Sequence, residues 1–147
     1  MIWKPSVTVA AIVERDGRFL LVEEQTGAGL VFNQPAGHLE PNESLVAAVA
    51  REALEETGWT VRPDSLVGVY RWKSPANDTF LRFAFAATAL AHHPERALDK
   101  EILKVHWLTA EEVRRILPRH RSPLVLRCVE DYLAGRRYSL DLLHHVA

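Results

Sequence analysis

The sequence predicts an α+β fold with a mixed sheet, on three observations. Runs rich in β-branched and aromatic residues recur through the first two thirds of the chain, separated by turn signals. One segment of helical period, opened by Pro41-Asn42-Glu43 and closed by Gly58, sits among them. Two further segments with cap signals finish the chain. A helix between strands and helices after them should cover both faces of the sheet.

Ser6 to Glu14 reads as a strand, Asp16-Gly17 as a hairpin turn, and Arg18 to Glu24 as the returning strand. Gln25 to Gly29 reads as a loop, and Val31 to Gln34 as a short strand ended by Pro35. Asn42 is the expected N-cap of the first helix, and Glu43 suits the positive end of its dipole. Leu45, Val49 and Ala53 form one apolar row, with Val46, Ala50 and Leu54 beside it. The many alanines there point to close approach to a sheet. Gly58 is placed to end the helix in the left-handed region. Thr60 to Arg62 and Ser65 to Trp72 read as two strands broken by Pro63-Asp64, and Lys73 to Asp78 as a turn. Thr79 to Ala91 is the longest strand candidate, with Leu81, Phe83 and Phe85 on one face and Phe80, Arg82, Ala84 and Ala86 on the other. Ile102 to Leu108 is a further strand. Thr109 caps a helix over Ala110 to Leu117 with Glu112 completing a capping box, and Ser122 caps another over Pro123 to Ala134. Arg136 to Ala147 shows no clear period.

A chain of 147 residues fits a single domain, 1–147, with no repeat or linker. A net charge of −1 supplies no field for nucleic acid or an anionic membrane. Cys128 is the sole cysteine, so no internal disulfide forms, which agrees with a cytoplasmic location. No apolar run reaches transmembrane length, and no leader is expected. The sequence leaves monomer and homodimer both open.

The chemistry is concentrated in Gly37 to Trp59. A helix turns about 100° per residue, so Glu52, Glu55 and Glu56 share one arc of roughly 100°. Like charges at these spacings repel by a few tenths of a kcal/mol per pair. A hard divalent cation, Mg²⁺ with Mn²⁺ as a substitute, relieves that far better than Arg51 alone. A solvated acidic face is the commoner fate of such a cluster. The fixed spacing of Gly37, Glu43, Arg51, Glu52, Glu55, Glu56 and Gly58 argues against it. Chance gives those seven positions on the order of once in a million chains this long.

This stretch resembles the Nudix box, 37–59, the signature of hydrolases acting on diphosphates linked to another group. The resemblance implies an α/β/α sandwich with a loop-helix-loop catalytic motif. It implies metal at Glu52, Glu55 and Glu56 with the Gly37 carbonyl, and a structural role for Glu43, Arg51 and Gly58. Ala53 and Trp59 depart mildly from the usual pattern. Phe32 to Glu40, Leu81-Arg82-Phe83, Arg121 to Val125 and Gly135 to Tyr138 further resemble a bacterial phosphatase branch of the family. That branch implies orthophosphate release from nucleoside tri- and diphosphates, thiamine diphosphate and hydroxymethylpyrimidine diphosphate. The alternative is a pyrophosphohydrolase giving a monophosphate and pyrophosphate. A non-catalytic nucleotide sensor ranks below both, since every box carboxylate is present.

Around the box, Glu52 is the favoured general base and metal ligand, with Glu101 as its rival or as a further ligand. Arg82 is a candidate phosphate ligand, set against a cross-strand ion pair with Glu14 or Glu24. Trp72 is a candidate for stacking on a ring, set against ordinary packing. Gln34, with Asn33, is a candidate ligand contact, and His38 a loop residue near the cleft.

Overall fold

The computed structural model describes residues 1–147. Its centre is β1 (Ser6–Arg15), where Val9 to Val13 are all buried. A strand covered on both faces needs a continuous apolar run, which VAAIV supplies. β6 (Thr79–His92) lies parallel to it, from Ser6↔Phe80 to Val13↔Ala87. β5 (Trp59–Lys73) adds antiparallel at the outer edge of β6.

On its other side β1 turns at Asp16-Gly17 into β2 (Arg18–Thr26), but the two pair only at Glu14↔Phe19 and Arg15↔Arg18. Beyond that the strands diverge. β2 pairs with β3 (Gly29–Asn33) and β7 (Ile102–Thr109), whereas β1 pairs with the short β4 (Ala36–His38). Gln34-Pro35 crosses the gap between them, with Ala11 N–H donating to Pro35 O at 2.9 Å. The divergence opens the sheet where a pocket forms.

α1 (Leu45–Thr57) lays Ala48, Val49 and Ala53 on the face made by Val9, Ala11 and Phe85. Alanine at these positions lets the helix sit close to the sheet, so a larger side chain at Ala53 would overpack it. α2 (Ala110–Arg115) and α3 (Leu124–Leu133) cover the opposite face, with Val113, Cys128 and Val129 against Ile12, Ala84 and Ala86. The alternation expected along β6 is the one observed: Phe83 and Phe85 face α1, and Ala84 and Ala86 face α3. The result is a mixed sheet between helical layers, as an α+β sandwich requires.

Several local expectations need correction. The N-cap of α1 is Ser44, whose Oγ accepts from Ala47 N–H at 3.0 Å, and not Asn42. Asn42 instead takes the left-handed turn before it, at φ 67°, a conformation Asn tolerates better than most residues. Pro63 does not break β5, because an edge strand accommodates proline at a bulge, and the register shifts between Pro63 and Ser65. The β2–β3 connection is tighter than the five-residue loop expected, with Thr26 Oγ1 donating to Gly29 O at 2.9 Å. Pro35 ends β3, yet the chain resumes at once as β4. α2 stops at Arg115 and passes into a 3₁₀ turn, Leu117–Arg119, where Pro118 removes a backbone donor. The tail is not featureless: Tyr138 and Leu66 exchange backbone hydrogen bonds at 2.8 Å, and Leu140 and Leu143 pack on the core.

Candidate active site

Arg51 organises the acidic face of α1. Its Nε and Nη2 donate to the two oxygens of Glu43 at 2.9 and 2.7 Å, a two-point grip that matches the planar guanidinium. Nη1 donates to Glu52 Oε1 at 2.8 Å and to Glu55 Oε1 at 2.9 Å, while Nη2 also reaches His38 O at 3.1 Å. The loop before the helix is thereby tied to its acidic face. Arg51 holds the Glu43 carboxyl below the usual carboxylate range, and the surrounding carboxylates push its own pKa further up.

Glu52, Glu56 and Asp99 are shifted the opposite way. Burial raises the pKa of Glu52, with Arg51 opposing and Glu55 and Asp99 adding to the rise. Glu56 is pushed up to about 9, first by burial and then by the charges of Glu24, Glu52 and Asp99, against one hydrogen bond from Ala36 N–H at 3.0 Å. Asp99 is raised by burial and by Glu55 and Glu101. Carboxylate oxygens of Glu52, Glu56 and Asp99 lie within 4.8 Å of one another. Asp99 gets there because its N–H donates to Glu55 O at 3.1 Å, which pins the loop before β7 against α1. Three carboxyl groups packed this closely, with one neighbouring arginine already shared, form a hard-oxygen donor set that fits a divalent cation, whose charge would favour their ionised forms.

Gly37 completes this wall. A side-chain carbon there would run into the Glu52 carboxylate, so glycine leaves that carboxylate in the place it occupies between β4 and α1. At the helix end Gly58 sits at φ 74° and its N–H donates to Leu54 O at 2.9 Å, as the sequence led us to expect.

Gly37, Glu52, Glu56 and Asp99 line one side of a pocket of about 610 Å³. Arg82 lies in its wall, buried at 6% exposure. Neither carboxylate considered for it is its partner: Glu14 accepts from Tyr132 Oη and Glu24 from Arg121. Arg82 donates instead to Gln34 Oε1 and Asn33 Oδ1, each at 3.0 Å, and Gln34 is anchored in turn through Nε2 to Val125 O at 2.8 Å. The side-chain oxygens that hold this buried guanidinium belong to neutral amides, and no carboxylate is paired with it. Trp72 and Phe80 stack at 5.7 Å and 25° and also line the pocket, offering an aromatic surface beside the charged groups.

With this geometry in hand, comparison with known proteins is decisive. The family model described as NUDIX domain matches residues 3–127. The chain belongs to the Nudix family. It is 41% identical over 141 residues to Phosphatase NudJ of Escherichia coli (strain K12) and to that of Shigella boydii, covering 96% of this chain and 92% of each relative. Its fold superposes on a NUDIX hydrolase from Nitrosomonas europaea with a TM-score of 0.95 at 47% identity, covering 97% and 98% of the two chains. A MutT NUDIX hydrolase from Burkholderia pseudomallei shares the fold alone, at a TM-score of 0.75 and 22% identity over 88% and 98% of the chains. The protein is accordingly a Nudix hydrolase acting on phosphoanhydride bonds of small phosphorylated substrates, in a family that generally uses divalent metals.

The Nudix box residues sit where their spacing places them, but they do not all converge. Glu52 and Glu56 converge with Asp99, while Glu55, which shares Arg51 Nη1 with Glu52, is not in the trio. Glu101 lines the pocket, yet Asp99 two residues earlier supplies the third converging carboxylate. Asp99 was missed because its place depends on a single backbone contact to Glu55. Its nearness to the β7 strand was the one signal available. Glu24 and Arg121 were likewise missed as pocket residues, because they come from distant segments.

Proposed function

We propose that this chain is a Mg²⁺-dependent phosphatase that releases orthophosphate from nucleoside tri- and diphosphates, thiamine diphosphate and hydroxymethylpyrimidine diphosphate. The observation that carries the reading is one pocket holding both a converging carboxylate trio and a buried arginine without a carboxylate partner. The relatives called Phosphatase NudJ support the choice of terminal phosphate. The stacked Trp72 and Phe80 suit the flat ring these compounds share.

In this reading Glu52, Glu56 and Asp99 would hold the cation, and the Gly37 carbonyl, Glu55 and Glu101 are further candidate ligands. When bound, Mg²⁺ neutralises the phosphate oxygens and polarises the attacking water. Arg82 grips a phosphate with its planar fork and keeps it from drifting during attack. Asn33 and Gln34 hold that fork in place. Glu52 accepts the water's proton: Arg51 occupies its Oε1, and the other oxygen takes the proton while its contact to the cation is bridged by water. Trp72 orients the organic group by stacking. The chain works as one domain, monomer or homodimer, in the cytoplasm on small free substrates. A net charge of −1 gives it no long-range pull on nucleic acid.

The test incubates protein, Mg²⁺ and each of the named compounds, and measures orthophosphate with and without added inorganic pyrophosphatase. Direct release is expected. With a nucleoside triphosphate, a signal that appears only with pyrophosphatase would replace this reading with α–β cleavage; the diphosphates have a single anhydride bond and release orthophosphate by either route. Arg82→Ala should raise the Michaelis constant, and unchanged kinetics would remove Arg82 from the site.

A further inference from the structure

The segment Arg121-Ser122-Pro123-Leu124 is remote from the catalytic helix in sequence, yet Arg121, Ser122 and Leu124 line the same pocket. Arg121 N–H donates to Phe32 O at 2.8 Å, which fixes its backbone against β3. Its Nη1 donates to Glu24 Oε1 at 2.6 Å. The pair is asymmetric. The Glu24 side chain is 7% exposed and that of Arg121 52% exposed. Arg121 thus carries five N–H donors and uses one of them in a side-chain hydrogen bond.

The charge around this pair is lopsided. The pocket wall carries six carboxylates, Glu24, Glu40, Glu52, Glu56, Asp99 and Glu101, against two arginines, Arg82 and Arg121. Glu24 lies close enough to Glu56 to help raise its pKa. A buried carboxylate in that setting needs a cation beside it. Arg121 fills that need from the solvent side, where a phosphate entering the pocket would compete for the same guanidinium.

We propose that Arg121 is a second phosphate-binding residue that sets substrate affinity, with Glu24 as its resting partner. Substrate phosphate oxygens replace Glu24 on the guanidinium. Leaving Glu24 alone would be strongly unfavourable, so the exchange proceeds when cation charge has arrived at the neighbouring carboxylates. Glu24 therefore acts as an internal competitor that keeps the metal-free pocket from binding phosphate. The proposal rests on the phosphohydrolase reading of this pocket. The contrasting role is a purely structural tie between β2 and the segment leading into α3.

The test is calorimetric titration with a methylene-bridged nucleoside diphosphate, which cannot be hydrolysed, in Mn²⁺ and separately in chelator. Arg121→Met should weaken binding in Mn²⁺ about tenfold, as loss of one charge-assisted contact implies. Arg121→Lys should recover part of that loss. Glu24→Gln should tighten binding several-fold in chelator, where Glu24 otherwise competes. A structural tie would lower the thermal midpoint of Arg121→Met and Glu24→Gln and leave both affinities at the wild-type value, which would overturn the proposal. Wild-type protein that fails to bind the analogue even in Mn²⁺ would overturn the phosphohydrolase reading, and this proposal with it.

Discussion

Glu56→Gln should stabilise the metal-free protein while abolishing its hydrolysis. The Glu56 carboxyl is buried and pushed from 4.5 up to about 9. Between those values the folded chain keeps a proton that the unfolded chain has released. The folded chain then binds more protons, so stability falls as pH rises through this window. The contribution is complete below 4.5 and lost by about 9. Glu52 and Asp99 are shifted in the same direction and steepen the fall. At about 1.36 kcal/mol per pH unit, the penalty near pH 7.5 is at most on the order of 4 kcal/mol. A glutamine keeps the acceptor for Ala36 N–H and offers its amide to the neighbouring carboxylates. A gain of about 2 kcal/mol is therefore expected, or roughly 6 °C in the thermal midpoint for a chain this size. The assay is thermal unfolding in chelator from about pH 5 to 9, for wild type and variant, repeated with Mg²⁺. The wild type should lose stability with rising pH, and the variant should lose less. Mg²⁺ should raise the wild-type midpoint most at high pH and leave the variant almost unmoved. A variant less stable than wild type at high pH in chelator, or equally stabilised by Mg²⁺, would refute the reasoning.

Gly37→Ala should lower turnover at least about a hundredfold with little change in stability, since the added carbon displaces the Glu52 carboxylate; steady-state kinetics and thermal unfolding together check this. Asp99→Asn should weaken Mn²⁺ binding on the order of tenfold, and Glu101→Gln by less, in a metal titration. Ser44→Ala should cost about 1 kcal/mol in denaturant unfolding through loss of the helix cap, while Asn42→Gly should change stability by no more than about 0.5 kcal/mol.

The legible parts of this protein are those set by local chemistry. The apolar run of β1, the capping box at Thr109 and Glu112, and the left-handed Gly58 each depend on near neighbours, and each is found where the sequence places it. The acidic arc of α1 is legible because helical geometry is fixed, whatever surrounds it. What the sequence hides depends on segments meeting across the fold. The divergence of β1 from β2 is created by the chain crossing at Gln34-Pro35, and no local signal announces it. Asp99 joins the carboxylates through one bond to Glu55, while Glu55 itself, on the same helix face, stays outside the trio. Arg82 shows the same limit from the other side. Strand position gave it Glu14 or Glu24 as partners, but tertiary packing gives those to Tyr132 and Arg121 and leaves Arg82 with neutral amides.

The central claim is that hydrolysis takes place where the converging carboxylates hold a divalent cation. Its most direct test is orthophosphate release from a nucleoside diphosphate as Mg²⁺ is titrated into chelator-treated protein, for wild type and Glu56→Gln. The account predicts no release before Mg²⁺ is added, a saturable rise in the wild type, and none in the variant. Release that persists in chelator, or a variant that responds to Mg²⁺ like the wild type, would contradict it.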